Sequence, residues 1–291
     1  MFKRTGIVTA MAALVIGLLT VPNLPAAFAD AGSTMVDDAT SGVPAGVGLQ
    51  PVGSMTITQP GTHLDSLDVQ GCLTILADNV WVSRVRVTCY GGSAAIRQTG
   101  NARGMLIEDS EIYGDGSTAS GIWSGRDYTV RRSEIAGFRD GMFVASGTVV
   151  EGNWVHSLAQ APGAHNDLIQ MVGGNGVRII GNRLEHVRDQ TSAIFIKSDM
   201  APIDDVTIAG NIVSGGAYSI YVMAGNALGG CCDAPTNVSV VNNVIGAGSY
   251  LYGPMVVMGN NNVACNLLSD GSAGVYYDSD RGTNPRYNPP C

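Results

Sequence analysis

Residues 206–215 read VTIAGNIVSG. Val206 and Ile208 alternate with polar or small neighbours, Asn211 interrupts the run after Gly210, and the apolar pair Ile212 and Val213 follows. The same arrangement returns in MLIEDSEIYG (105–114), YTVRRSEIAG (128–137), TVVEGNWVHS (148–157), VRIIGNRLEH (177–186) and VSVVNNVIGA (238–247), and again in NVACNLL (262–268). Its polar position falls at Ser110, Ser133, Asn153, Asn182, Asn211, Asn243 and Asn266, at intervals of 20 to 32 residues. Self-similarity at such a period is the signature of a repeat architecture.

A second column runs between these segments: Ile96, Ile122, Met142, Ile169, Ile194, Ile220, Met255 and Val275. Two strand signals per repeat, separated by turns, fit one coil of a wound sheet. Period-2 alternation, abundant β-branched residues and 39 glycines exclude a helical solenoid. No recurring L-x-x-L-x-L supports a leucine-rich repeat. The expectation is an all-β fold, a single-stranded right-handed parallel β-helix of about eight coils. One coil cannot bury its inner face alone, so stacked neighbours make the core. The asparagines are expected at turns, where this residue tolerates left-handed backbone and its amides stack along the axis.

The chain has 291 residues. It opens with a basic head, an apolar run from Ile7 to Val21 and a small-residue ending at Ala27-Phe28-Ala29, the pattern of a secretory signal peptide over residues 1–29. Residues 30–41 are expected as a flexible tail and 42–291 as one β-helix domain with a Pro-rich C-terminal cap. Without Lys3 and Arg4, 24 acidic against 14 basic side chains leave a net charge of −10. That balance excludes non-specific nucleic-acid binding, and no later apolar run is long enough for membrane insertion. The expectation is a secreted monomer. Its six cysteines suit disulfides rather than a metal, with Cys72 paired to Cys89 and Cys265 to Cys291.

Aligning the segments on the Ile column places Arg97, Trp123, Phe143, Gln170, Phe195 and Tyr221 directly after it. The column residue packs inward, so this row points outward. A largely aromatic outward row suits a polymeric sugar ligand. Two residues before the column, Asp140 and Asp167 stand on adjacent rungs. At about 5 Å and an effective dielectric near 20, two carboxylates repel by roughly 3 kcal/mol. Such a pair should hold a proton, a cation such as Ca²⁺, or a basic partner. Arg139, His165, Asn166 and Lys197 lie close by in the register, so His165, Asp167, Lys197, Asp140 and Arg139 form the candidate catalytic group. His156 and His186 are expected to be satisfied surface histidines at turns.

The segments GVPAG (42–46), NDLIQ (166–170) and SAIFIKS (192–198) resemble those of right-handed β-helix carbohydrate enzymes of the pectate-lyase-like superfamily, most nearly secreted actinobacterial β-helix proteins. NDLIQ and SAIFIKS are similar to the N-T-D-G-I-D and D-D-C-I-A-I-K-S motifs of polygalacturonase-type hydrolases, with Asp167 and Lys197 matching. Thr191 and Ser192 stand where that motif has paired aspartates, and GGAYSIYVM (215–223) lacks the Gly-His-Gly. The resemblance implies an extracellular polysaccharide as partner and, for this residue inventory, a lyase. In that reaction Lys197 or His165 removes the C5 proton of a uronic acid, Arg139 neutralises charge, and Asp140 with Asp167 holds Ca²⁺. A polygalacturonase-like hydrolase, a C5 epimerase, or a glycan-binding protein without catalysis are the alternatives.

Overall fold

A computed structural model describes residues 36, 37, 39–160, 165–278 and 285–288. The segment expected as a signal peptide, and Cys291 with its expected bond to Cys265, lie outside the described residues. The chain winds into three parallel sheets of ten, eleven and nine strands, and successive strands pass from the first sheet to the second to the third before returning. This is a parallel β-helix. Among the described residues no helix is long and apolar enough to cross a membrane.

Each coil therefore has three strands rather than two. The reason lies inside VTIAGNIVSG: Ile203–Ala209 belongs to the third sheet and Ile212–Ser214 to the first, with Gly210 and Asn211 forming a corner. What reads as one strand with a polar interruption is two strands meeting at an angle. The left-handed residue of this corner is not the asparagine but the one before it. Asp109, Arg132, Gly152, Gly181, Gly210, Asn242 and Cys265 all have φ between 48° and 64°. The asparagines keep ordinary backbone and use their amides instead.

Those amides form a continuous buried ladder. The Ser110 N–H donates to Ser133 Oγ, the Ser133 N–H to Asn153 Oδ1, and the same step repeats through Asn182, Asn211, Asn243 and Asn266, with distances of 2.9 to 3.2 Å. Asn288 closes the ladder by accepting the Asn266 N–H at 3.2 Å. The strand just before it, Pro285–Tyr287, pairs antiparallel with Val275–Tyr277 at the edge of the second sheet, where a missing proline N–H is tolerated.

The Ile column is fully buried and in the expected register from Ile96 to Met255. Its last member differs: Tyr276, not Val275, stands opposite Met255, and Val275 is exposed. Two coils, opening with Gln50–Val52 and Leu67–Gln70, precede the Ile96 strand and carry no Asn signal, so the first sheet has ten strands where about eight coils were expected. Cys72 and Cys89 are bonded across adjacent coils, and Cys231 and Cys232 are bonded to each other. The first bridge closes a loop with a sequence separation of 17. Replacing Cys72 and Cys89 by alanine should lower stability by about 3 kcal/mol, through the unfolded chain's regained freedom, read as a shifted urea midpoint.

Candidate active-site groove

The outward row lies on the second sheet in the register read from sequence. Arg97 pairs with Trp123, Trp123 with Phe143, Phe143 with Gln170, Gln170 with Phe195, and Phe195 with Tyr221. Strict alternation would turn Asp167 inward with Ile169, yet it does not lie there. Pairing steps from Asp167–Ser192 to Ile169–Ile194, and the residues between, Leu168 and Ala193, are both fully buried. This irregularity brings Asp167 to the same side as Gln170, whose Nε2 donates to Asp167 Oδ2 at 3.2 Å.

Asp140 and Asp167 are neighbours on adjacent rungs, and Asp140 Oδ1 accepts the Asp167 backbone N–H at 3.2 Å. Burial raises both carboxyls above the ordinary 3.8, and for Asp167 the charge of Asp140 adds to the effect and lifts it well above that value. Of the two carboxyls, Asp167 is the one whose protonated form is favoured more strongly. Its Oδ1 is buried without a hydrogen-bond partner among the described residues.

Asp167 is held by an anchored turn. Asn166 Nδ2 donates to the backbone carbonyls of Arg139 and of Ala159, and the Asn166 carbonyl accepts from His186 Nε2 at 3.0 Å. His186 is thus not the satisfied surface residue expected: it is half-buried, burial lowers its pKa below 6.5, and its Nδ1 has no partner among the described residues. Its side chain supports the turn that carries His165 and Asp167. His165 itself is exposed, with Nδ1 at 3.2 Å from Thr191 Oγ1.

Lys197 ends the Ser192–Lys197 strand and is nearly buried, with Nζ 2.7 Å from Asp199 Oδ1. His165, Asp167, Gln170, Phe195 and Lys197 line one groove with a volume of about 520 Å³. Phe195 stacks on Tyr221 with centroids 5.0 Å apart. Arg139 and Asp140 do not line it. Arg139 is exposed, and Asp140 is turned to the backbone of the Asp167 turn. Arg97, Trp123 and Phe143 lie on rungs beyond the groove, along the same row.

Other lining residues come from loops between the first and second sheets: Asp189, Gln190 and Thr191 from one, Leu251 and Tyr252 from another, with Tyr218 at the start of its strand. Sequence reading missed the loop residues because insertions at this corner carry no period. The available signal was length, since the Ile column makes its longest step from Ile220 to Met255, a span that includes residues 246–252 together with the longer segment 224–235.

The aspartate pair does not fit Ca²⁺, which takes six to eight oxygen ligands. One Asp140 oxygen accepts a backbone N–H, one Asp167 oxygen accepts an amide N–H, and the described residues contain no group of three or more potential ligating side chains. The upward shift of both carboxyls favours a bound proton at this pair.

That assignment has a stability consequence. A carboxyl with a raised folded pKa binds its proton more tightly when folded, so its contribution is fully present below the unfolded value of 3.8 and is lost as pH rises through the folded value. Asp167→Asn removes the titration. The variant should match the wild type near pH 4 and melt at a higher temperature than the wild type as pH is raised, measured by thermal unfolding across pH.

No protein-family model matches this chain, and no curated protein matches it. Among solved structures it is similar to an alginate lyase from Paenibacillus sp. str. FPU-7, at 16% identity and a TM-score of 0.47, covering 77% of this chain and 85% of that one.

Proposed function

We propose that this chain is an exported lyase of the pectate-lyase-like β-helix kind that cleaves a uronate-containing extracellular polysaccharide by β-elimination. The observation that carries the reading is the composition of the groove: a buried Asp167 with an oxygen that has no partner among the described residues, an ion-paired Lys197 and an exposed His165 line one cavity with aromatic rings. Elimination needs a cation for the substrate carboxylate, a base for the C5 proton, and an acid for the leaving C4 oxygen.

Lys197 supplies the cation. As donor in an ion pair with Asp199 it is suited to meeting a second carboxylate rather than to accepting a proton. In the tautomer that donates Nδ1–H to Thr191, His165 presents the Nε2 lone pair as the base. The C5–H electron pair forms the C4–C5 double bond, the C4–O bond breaks, and Asp167 gives its proton to the departing oxygen. Arg139 has no role in this scheme. Burial of Asp167 keeps the acid protonated at pH values where an ordinary aspartate is ionised.

One observation favours a second reading, glycoside hydrolysis: Asp189 shares the groove with Asp167, giving two carboxyl groups for acid and base. A panel of uronate polymers decides. Wild-type protein should raise the ultraviolet absorbance of the conjugated double bond on at least one polymer. New reducing ends without that absorbance would establish hydrolysis, and tight binding with neither product would leave a glycan-binding protein.

A further inference from the structure

We propose that the groove is one-ended: an anionic chain enters over the N-terminal coils, its distal carboxylate meets Arg97, and a plug of tyrosines at the C-terminal side confines the cut to the chain end. This rests on the lyase reading for the reaction but not for the binding geometry.

Exposure along the outward row falls in one direction. Arg97 is exposed, Trp123, Phe143, Gln170 and Phe195 are half-buried, Tyr221 is 7% exposed, and Val256 on the next rung is 0% exposed. The floor available to a ligand therefore ends at Tyr221. What covers the next rung is an aromatic cluster: the Tyr218 ring lies 5.9 Å from Tyr252 and 6.1 Å from Tyr277. Gly253 makes room for it, since a Cβ there would come within 2.5 Å of the Tyr277 ring.

The loop that forms the wall is fastened. The Leu251 and Tyr252 N–H groups donate to the Gly216 and Ala217 carbonyls at 3.1 and 2.8 Å, and Arg188 Nε donates to the Tyr250 carbonyl at 2.8 Å. Leu251 and Tyr252 nevertheless remain 42% and 64% exposed, so they stand above the floor. At the other end the exposed Tyr90 borders a separate cavity with Asp68, Gln70 and Arg86 rather than the outward row. On that row Arg97 lies over the Trp123 ring, 5.0 Å from its centroid, with no carboxylate partner among the described residues. Arg97 is four rungs from the strand that bears Lys197, ~19 Å at the usual strand spacing, farther than one sugar ring reaches. Two cations so separated, with aromatic faces between them, match a chain carrying repeated carboxylates.

The test uses the full-length protein and uronate oligomers of increasing length. Wild type should release short products from the first minutes while polymer viscosity barely falls, and the double variant Leu251→Ala/Tyr252→Ala should shift products to longer lengths. A mixed ladder of all lengths from wild type, or an unchanged product profile in the double variant, overturns the proposal and leaves the lyase reading standing. If no polymer is cleaved, the lyase reading fails and binding of the same oligomers decides this one. Affinity that climbs with length, and drops about fivefold for the longest oligomers in Arg97→Ala, supports the one-ended groove. Affinity independent of length, or indifferent to Arg97, overturns it.

Discussion

Lys197→Met should reduce kcat/KM on the cleaved polymer by about a hundred- to a thousand-fold, the usual effect of removing one donor aimed at developing charge. Methionine keeps the apolar stem and removes the ammonium, so the loss reports charge rather than packing. In β-elimination the C5 proton becomes acidic only when the carboxylate charge is compensated, and negative charge grows on that group as the proton leaves. The cation is thus worth more in the transition state than in the complex, and kcat should fall further than KM rises. Thermal stability should change little. The Lys197 side chain is 10% exposed, but the partner left behind, Asp199, is 30% exposed and can be rehydrated, so the loss should be about 1 kcal/mol. A variant with wild-type kcat would remove Lys197 from the mechanism.

Asn182→Ala should cost about 4 kcal/mol, the largest stability effect expected of a single substitution here. Four hydrogen bonds meet at this side chain. Its Oδ1 accepts the Asn153 backbone N–H and Asn153 Nδ2, while its Nδ2 donates to the Val150 carbonyl and to Asn211 Oδ1. Asn153, Asn182 and Asn211 are all within 1% of complete burial, so water cannot replace the lost partners. In a stacked fold each coil is stabilised by its neighbours, so the damage should spread to the adjoining coils. Asn182→Asp is an informative companion, because it keeps the shape and the acceptor but places an oxygen against Asn211 Oδ1. On the outer face of the third sheet, Arg178→Ala removes an ion pair with Asp205 and hydrogen bonds to the Val177 and Asp205 carbonyls, all at a solvent-accessible side chain, and should cost about 1 kcal/mol. Denaturant midpoints of the three variants check the contrast, and similar values for all three would contradict it.

The parts of the fold that repeat were legible. The Ile column from Ile96 and the ladder from Ser110 recur on successive coils and obey one constraint each, burial in the first case and rung-to-rung hydrogen bonding in the second. The third strand of the coil was hidden because the corner at Asn211 falls inside an apparently continuous apolar segment, and its left-handed residue, Gly210, precedes the asparagine. The register that sets Asp140 beside Asp167 was also readable, but not what their side chains do there. Asp140 turned to a backbone N–H and out of the groove, a choice made by the tertiary position of the Asn166 turn rather than by local sequence. The walls of the groove, Asp189 to Thr191 and Leu251 to Tyr252, come from insertions without periodicity and could not be placed before the coils were assembled.

The mechanism stands or falls on whether water enters the products. A purified uronate oligomer of one length, cut by the wild-type protein and weighed by mass spectrometry, gives the answer. Elimination predicts two fragments whose masses add up to that of the substrate, one of them carrying the new double bond. Fragments that sum to the substrate plus one water would contradict the account.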